Sequence, residues 1–325
     1  MKLKVAFYWC AACGGCEEAV VDLGEKLLDV VAAVEIAFWP VALDFKRKDV
    51  EALEDGALAA AFINGAVRTS EQLEMARLLR RKAQTVVAFG SCAHTGGVPG
   101  LANLYPRETL LRTVYQALPS VVNPEATHPT PEVRDSGRHL ELPQFFDTVY
   151  ALDQVIEVDY YIPGCPPTPA LLADAVTALL AGRLPEKGAV LAPDRALCDE
   201  CPRRDSKPEK LALAEFKRPH EVLIEPDKCL LAQGLLCLGP ATRSGCGWRC
   251  IDGNMPCTGC FGPTSRVRDF GAKAISGMAS LLGCNEAGTI IRALERIPDP
   301  AGTFYRYSLP AAPLRPRPAA PSAAQ

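Results

Sequence analysis

The sequence predicts an α/β fold, a mostly parallel sheet with helices on both faces, followed by a loop-rich, cysteine-dense region. Three observations carry this. Short apolar runs alternate with amphipathic stretches through the first 180 or so residues. Of the 14 cysteines, five fall in residues 1–197 and eight in Cys198–Cys260, with Cys284 alone. Hydrophobic residues make up 48% and charged residues 22% of the 325 positions, ordinary for a folded chain of about two domains.

The elements follow in order. Val5–Trp9 is a β-rich run and reads as a buried strand. From about Glu17 to Val31, Val20, Leu23, Leu27, Val30 and Val31 recur at helical spacing, with Gly24 as a weak point. Val34–Trp39 and Ala59–Ile63 read as the next strands. Ser70 is placed to cap a helix running to about Lys82. Thr85–Phe89 and Val155–Ile162 are further strands. Pro169 suits a first helical position, and Ala170–Ala181 reads as a helix closed by Gly182. Strands alternating with helices in this way argue for a parallel sheet.

Residues 96–150 interrupt the alternation. They are rich in Gly, Pro, Asn and Thr, and hold one helix near Glu108–Leu118. The composition changes again at Leu184–Pro193. Beyond it periodicity is weak, charges gather in Arg203–Arg218, and metal binding is expected to supply folding energy that apolar burial does not. One helix is expected at Arg268–Leu282. The Ala/Pro-rich stretch Leu309–Gln325 reads as disordered. These boundaries divide the chain into residues 1–190, 191–285 and an extension, 286–325.

A net charge of −3 advertises neither nucleic acid nor membrane as a partner. The apolar run after Met1 is too short for a signal peptide core, and no stretch reaches the 18 or so apolar residues of a membrane helix. The expected setting is therefore the cytoplasm, where clustered cysteines stay reduced and bind metal. No G-x-G-x-x-G or G-x4-G-K-[ST] occurs, which argues against a nucleotide-binding reading.

The first cysteine constellation lies at predicted strand ends. Cys10, Cys13 and Cys16 follow the first strand, Cys92 sits in Gly90-Ser91-Cys92-Ala93, and Cys165 in Pro163-Gly164-Cys165-Pro166. Carboxyl ends of parallel strands form the binding crevice of such sheets. Three loops there can bring Cys13, Cys16, Cys92 and Cys165 together, with nearby glycines allowing close backbone approach and N–H donation to sulfur. A core of small apolar cysteines does not explain glycine beside each. A Cys13–Cys16 redox pair leaves Cys92 and Cys165 unexplained.

The second constellation runs Cys198, Cys201, Cys229, Cys237, Cys246, Cys250, Cys257 and Cys260. Eight ligands make two four-cysteine sites. Paired zinc sites and paired iron–sulfur clusters both fit the spacing, and Pro202, Pro256, Gly247 and Gly259 beside ligands lean toward clusters.

These motifs resemble the small, electron-transferring subunit of NiFe hydrogenases over nearly the whole chain to about residue 285. The first part is also similar to the cluster-bearing 20 kDa subunit of complex I. That subunit has adjacent cysteines where Gly14-Gly15 here separate Cys13 from Cys16. The resemblance implies a flavodoxin-like first domain. Its C-x2-C-x-E, G-x-C-A and P-G-C-P-P segments would carry a proximal 4Fe–4S cluster on Cys13, Cys16, Cys92 and Cys165, with Glu18 beside it. A distal cluster would sit on Cys198, Cys201, Cys229 and Cys237, Cys198 standing where many relatives have histidine. A medial cluster would sit on Cys246, Cys250, Cys257 and Cys260. Four medial cysteines suggest the cytoplasmic, methyl-viologen-reducing (F420-non-reducing) type. The implied partners are a large subunit holding the whole NiFe centre, an iron–sulfur adaptor and a heterodisulfide-reductase-like flavoprotein.

Some readings stay open. Glu18 is either a proton-exit carboxylate or a helix N-terminal charge, and Glu17 is expected at the solvent or as a cap. Arg203-Arg204 and Lys207–Lys210 form either a docking patch for an acidic partner or a solvated loop. His94 either donates to the proximal site or the large subunit, or lies at the surface. Cys10 is expected near the cluster without binding it, and Cys284 is expected to be structural. His128, His139 and His220 show no ligand spacing. Two other functions remain: a relay whose large partner lacks nickel, and a zinc-stabilised binding module.

Overall fold

A computed structural model describes residues 2–283, 286–297 and 299–313. Nine strands are present among them: β1 (Leu3–Trp9), β2 (Val34–Phe38), β3 (Leu58–Asn64), β4 (Val67–Thr69), β5 (Ala83–Phe89), β6 (Glu132–Asp135), β7 (Arg138–Glu141), β8 (Phe145–Tyr150) and β9 (Tyr160–Ile162). Five of these form one sheet in the order β2-β1-β3-β5-β9, with every neighbouring pair parallel. Renumbered within the sheet this is 2-1-3-4-5, the doubly wound order whose switch point lies between β1 and β3.

Helices cover both faces. On one side lie α1 (Gly15–Val21), α2 (Lys26–Ala33) and, much later, α7 (Pro169–Leu180). On the other lie α3 (Arg47–Glu51) and α4 (Ser70–Lys82). The strand period divides the core accordingly. Val5 and Phe7 face the α1/α7 layer, and Ala6 faces the α4 layer. The rings of Phe7 and Phe62 stack across β1 and β3 at 5.0 Å, and Phe62 meets Phe89 edge-on at 6.4 Å.

Several elements differ from the sequence reading. The helix expected over 17–31 is two helices, broken where Gly24 takes a φ of 60°. Thr69, not Ser70, caps α4, accepting from the N–H of Gln72. The strand expected at Val155–Ile162 is only Tyr160–Ile162. Residues 189–191 run beside it, with Leu191 N–H donating to the Tyr161 carbonyl at 2.7 Å. Within 96–150, α5 (Ser91–Thr95) leads into a 3-10 turn at Val98–Leu104. Then come α6 (Arg107–Arg112), a π turn to Ala117 and the exposed β6–β7 hairpin, before β8 pairs back antiparallel onto β4.

The cysteine-rich region has its own apolar core, built on Leu197, Leu213, Phe216, Leu231, Leu235, Leu238, Phe270 and Met278. Its helices are α8 (Leu197–Glu200), α9 (Arg249–Asp252), α10 (Phe270–Ala279), α11 (Ala287–Glu295) and α12 (Pro300–Phe304). Phe261 belongs instead to the core beneath α1 and α7, so the two regions share apolar contacts. The stretch expected to be disordered from Leu309 begins ordered: Leu309–Ala311 is a 3-10 turn with Leu309 and Pro310 buried. Positions 314–325 and Cys284 lie outside the described residues.

Candidate cluster-binding site

The first site is built at the switch point. Past β1, Cys10 N–H donates to the Asn64 carbonyl at 2.8 Å. Ala11 and Ala66 exchange backbone hydrogen bonds of 2.8 and 2.9 Å, which ties the cysteine loop to the end of β3. Gly14, at φ 92°, turns the loop into α1. The Cys92 and Cys165 loops are laced together by Gly90 N–H to the Ile162 carbonyl and Ser91 N–H to the Gly164 carbonyl, both 2.8 Å. A Cβ on Gly90 would stand 2.3 Å from the Cys16 Sγ, and one on Gly97 2.4 Å from the Cys92 Sγ. Glycine is required at both places because the sulfurs pass against bare backbone.

Cys13, Cys16, Cys92 and Cys165 come together here. Burial pushes the Cys16 thiol far up, and the neighbouring charges of Cys92, Cys165, Cys13 and Glu17 add to it. Burial, then Cys165 and Cys13, pushes Cys92 up to about 12, partly offset by the N–H of Val98. Buried thiols such as Cys16 and Cys92 stay neutral on their own and ionise only against a cation.

Cys198, Cys201, Cys229 and Cys237 line one cavity with Leu197, Leu230 and Ile251. Burial and the charge of Cys237 push Cys198 up to about 12, with Lys207 opposing. Gly239 and Cys257 N–H groups point at the Cys237 sulfur. Cys246, Cys250, Cys257 and Cys260 line a second cavity, which Cys165 and Pro166–Pro169 of the first region complete. Trp248 and Arg249 N–H groups point at Cys246, and Trp248 takes a φ of 45° to do so.

The three groups adjoin. The backbone N–H of Cys165 faces the Cys260 sulfur, which burial pushes up to about 12. Ser91 donates from its hydroxyl to the Cys260 carbonyl. At the other end, Cys257 reaches toward Cys237 as well as its own group, its N–H 3.4 Å from the Cys237 Sγ and its thiol 3.5 Å from the Thr242 hydroxyl.

Other residues fall differently from expectation. Glu17 is buried, not at the solvent: Trp39 donates its indole N–H to one carboxylate oxygen, and Asn64 donates to the other at 2.6 Å. Burial raises its pKa, and these two donors oppose the rise. Glu18 is exposed on the first turn of α1. His94 is half-buried. Its ring packs on Tyr161 at 4.7 Å, and burial with the Arg243 charge lowers its pKa to about 4, so it is neutral. Cys10 belongs to the core on the α4 face, while Cys16, on α1, belongs to the core shared with α7. Arg203 is buried and spent, donating to the Ile251 carbonyl at 2.7 Å and to Asn254 at 2.6 Å, which withdraws it from the expected docking patch. Lys207 and Lys210 remain exposed. His128 and His139 are exposed in the 96–150 excursion, and His220 sits in a 3-10 turn at Pro219–Glu221; none of the three lines either cysteine cavity. Sequence reasoning misses Trp39, Asn64, Thr242 and Tyr307. None stands in a motif, and each reaches a cysteine loop only through the fold.

The donor sets fit iron–sulfur clusters. Each is four cysteines with no histidine or carboxylate, none of the described cysteines forms a disulfide, and backbone N–H groups face the sulfurs. Among the described residues, no three His, Cys, Asp or Glu side chains close round a single ion.

Residues 13–179 match the family model for the NADH ubiquinone oxidoreductase 20 Kd subunit. Over 315 residues the chain is 42% identical to the iron-sulfur subunit of the F420-non-reducing hydrogenase of Archaeoglobus profundus, covering 96% of this chain and 98% of that protein. It is 39% identical to the corresponding F420-non-reducing hydrogenase subunit of Methanothermobacter thermautotrophicus, with 96% of each covered. Its fold matches the NiFeSe hydrogenase structure from Desulfovibrio vulgaris Hildenborough, with a TM-score of 0.51 at 18% identity, over 81% of this chain and 94% of that one.

Proposed function

Because the chain belongs to the hydrogenase small-subunit family, which shares its first region with the 20 kDa subunit of complex I, we propose that it is the electron-relay subunit of a NiFe hydrogenase. It would hold three 4Fe–4S clusters and link the NiFe site of a large subunit to a partner redox protein. The observation that carries this reading is the continuity of the three cysteine groups, through Cys165 and Cys260 and then through Cys257 and Cys237. A chain of adjoining thiol sites suits one-electron transport and has no use in a purely structural zinc module.

Iron–sulfur clusters held there would accept and release single electrons. The chain's own residues fix where that happens. Cys13, Cys16, Cys92 and Cys165 would hold the proximal cluster at the carboxyl edge of the sheet, with Val98 donating toward Cys92. Cys246, Cys250, Cys257 and Cys260 would hold the medial one, and Cys198, Cys201, Cys229 and Cys237 the distal one. Hydrogen cleavage would belong to the large subunit, seated against the proximal edge and the 96–150 excursion. Exposed Leu104, Tyr105 and Phe145 there support such a contact. Lys207 lines the distal cavity and, with Lys210, would receive an acidic iron–sulfur adaptor that serves a heterodisulfide-reductase-like flavoprotein. A cytoplasmic setting follows from this reading. Among the described residues, no helix is long and apolar enough to cross a membrane.

The test is iron, zinc and acid-labile sulfide per chain on anaerobically purified complex. About twelve irons with matching sulfide are expected, from three four-iron clusters. About two zincs with little sulfide would replace the relay by a zinc-stabilised module. Iron without nickel in a complex that retains its large subunit would instead indicate a complex I-like relay.

A further inference from the structure

The C-terminal segment leaves the cysteine-rich region and crosses back onto the first one. Its near end is anchored where it starts. Phe304 is 4% exposed in the second core, and the Tyr305 ring lies where a Cβ on Gly271 would be, 2.3 Å away. Its far end is anchored on the loop that follows Cys92. The Tyr307 carbonyl accepts from the Thr95 hydroxyl at 2.6 Å and from the Gly97 N–H at 3.1 Å. The Pro310 ring fills the space left by two glycines, since a Cβ on Gly96 or Gly100 would stand 2.2 or 2.3 Å from it. The Pro310 carbonyl accepts from Gln154 at 2.8 Å. Between these anchors the Tyr307 hydroxyl meets Thr258 at 3.2 Å, and its ring is near enough to Cys165 and Cys260 to feel both charges.

We propose that this strap, residues 299–313, is a working part of the first cluster site: Tyr307 and Pro310 hold the Cys92 loop in its ligating position and shield the Cys165–Cys260 junction from water. Tyr307 is a positioning residue, acting through Thr95 and Gly97 on Cys92. The Gly97 backbone is packed against the Cys92 sulfur, so whatever pins Gly97 also pins that sulfur. The Cys92 loop is otherwise a five-residue helix between glycines of positive φ, Gly90 at one end and Gly96 and Gly97 at the other, with little stability of its own. The proposal rests on the relay reading for the cluster and on the fold alone for the loop.

Two variants of the full complex test it. Gly100→Ala places a methyl group against Pro310, at a backbone position where alanine is unstrained, and so dislodges the strap. A stop codon at Tyr305 removes its far half, Tyr307 and Pro310 included. The expected result is selective. Proximal-cluster EPR changes in the hydrogen-reduced complex, visible absorbance bleaches several-fold faster in air, and about four irons are lost on truncation while about eight remain. Iodoacetamide labelling of Cys92, read by mass spectrometry, rises in both. Unchanged EPR, bleaching and Cys92 labelling in both variants would overturn the proposal. Absence of iron and sulfide from the unmodified complex would overturn the relay instead, and Cys92 labelling would still decide the role of the strap.

Discussion

The backbone N–H of Cys257 points at the Sγ of Cys237 from 3.4 Å, across the boundary between two four-cysteine groups. One residue therefore belongs to its own group through its thiol and to the next through its amide. N–H donation to sulfur raises a cluster's potential, and a ligand is the shortest covalent path out of a cluster. The two groups are thus joined by a direct hydrogen bond.

This coupling makes Cys257 and Cys198 unequal. Cys198→Ser is expected to remove or alter one cluster and leave the other signals intact. Cys257→Ser is expected to disturb two, because the loop that carries the donor N–H loses its anchor. Iron content and EPR of the reduced complex check this. Identical losses in the two variants would show that the groups are independent.

Gly90 predicts a severe local effect. Gly90→Ala puts a methyl group 2.3 Å from the Cys16 sulfur and forces a side chain into φ 85°. The backbone alone costs roughly 1–3 kcal/mol, because φ 85° with ψ 163° is a conformation essentially reserved for glycine. Loss of about four irons with a small fall in melting temperature is the expected outcome. Full iron occupancy would mean that the Cys16 sulfur does not lie against Gly90.

Glu17 is held by two donors from different elements, and Trp39 supplies one while its ring packs on Phe7 at 4.8 Å. Trp39→Phe keeps most of the packing and strands one carboxylate oxygen. The expected cost is about 1–3 kcal/mol, measured by denaturant unfolding. A double-mutant cycle with Glu17→Gln should show coupling, and additive effects would deny the bond.

Asp159 gives a pH dependence. Its carboxylate is 1% exposed, with Arg80 and Lys187 each at 2.6 Å and the Val86 N–H at 2.8 Å. Burial alone would raise its pKa, but the bonds from Lys187, Arg80 and Val86 hold it below the usual value. A depressed folded pKa gives stability that is fully present above the unfolded pKa of about 3.9 and is lost as pH falls through the folded value. Asp159→Asn should cost about 1.5–3 kcal/mol at pH 7, and the difference from the unmodified chain should shrink toward zero in acid. Urea melts from acid to neutral pH test the trend, and a pH-independent difference would refute it.

Much of the fold is legible in local pattern. The apolar runs at Val5–Trp9 and Thr85–Phe89 are central strands, since a strand buried on both faces must be apolar throughout. The split of the first long helix is foreshadowed by Gly24. Short polar strands are not legible: Glu132–Asp135 and Arg138–Glu141 are exposed on both faces, so no alternation marks them. Glu17 escapes a local reading because a carboxylate beside a loop looks solvated until Trp39 and Asn64, 22 and 47 residues away, are folded over it. Arg203 escapes for the same reason, its partners Ile251 and Asn254 lying 48 and 51 residues on.

The sequence by itself determined the α/β class, the strand-end position of the first four cysteines and the eight-cysteine content of the second region. Each of these is a matter of residue type at short spacing, which local propensity and ligand chemistry read directly. Only the tertiary structure decided that Cys165 meets Cys260, that Cys257 meets Cys237, and that a strap from residues 299–313 closes on the Cys92 loop. Those contacts join positions that nothing local relates. They exist because two packed cores fix the distances between loops, and spacing along the chain carries no record of that distance.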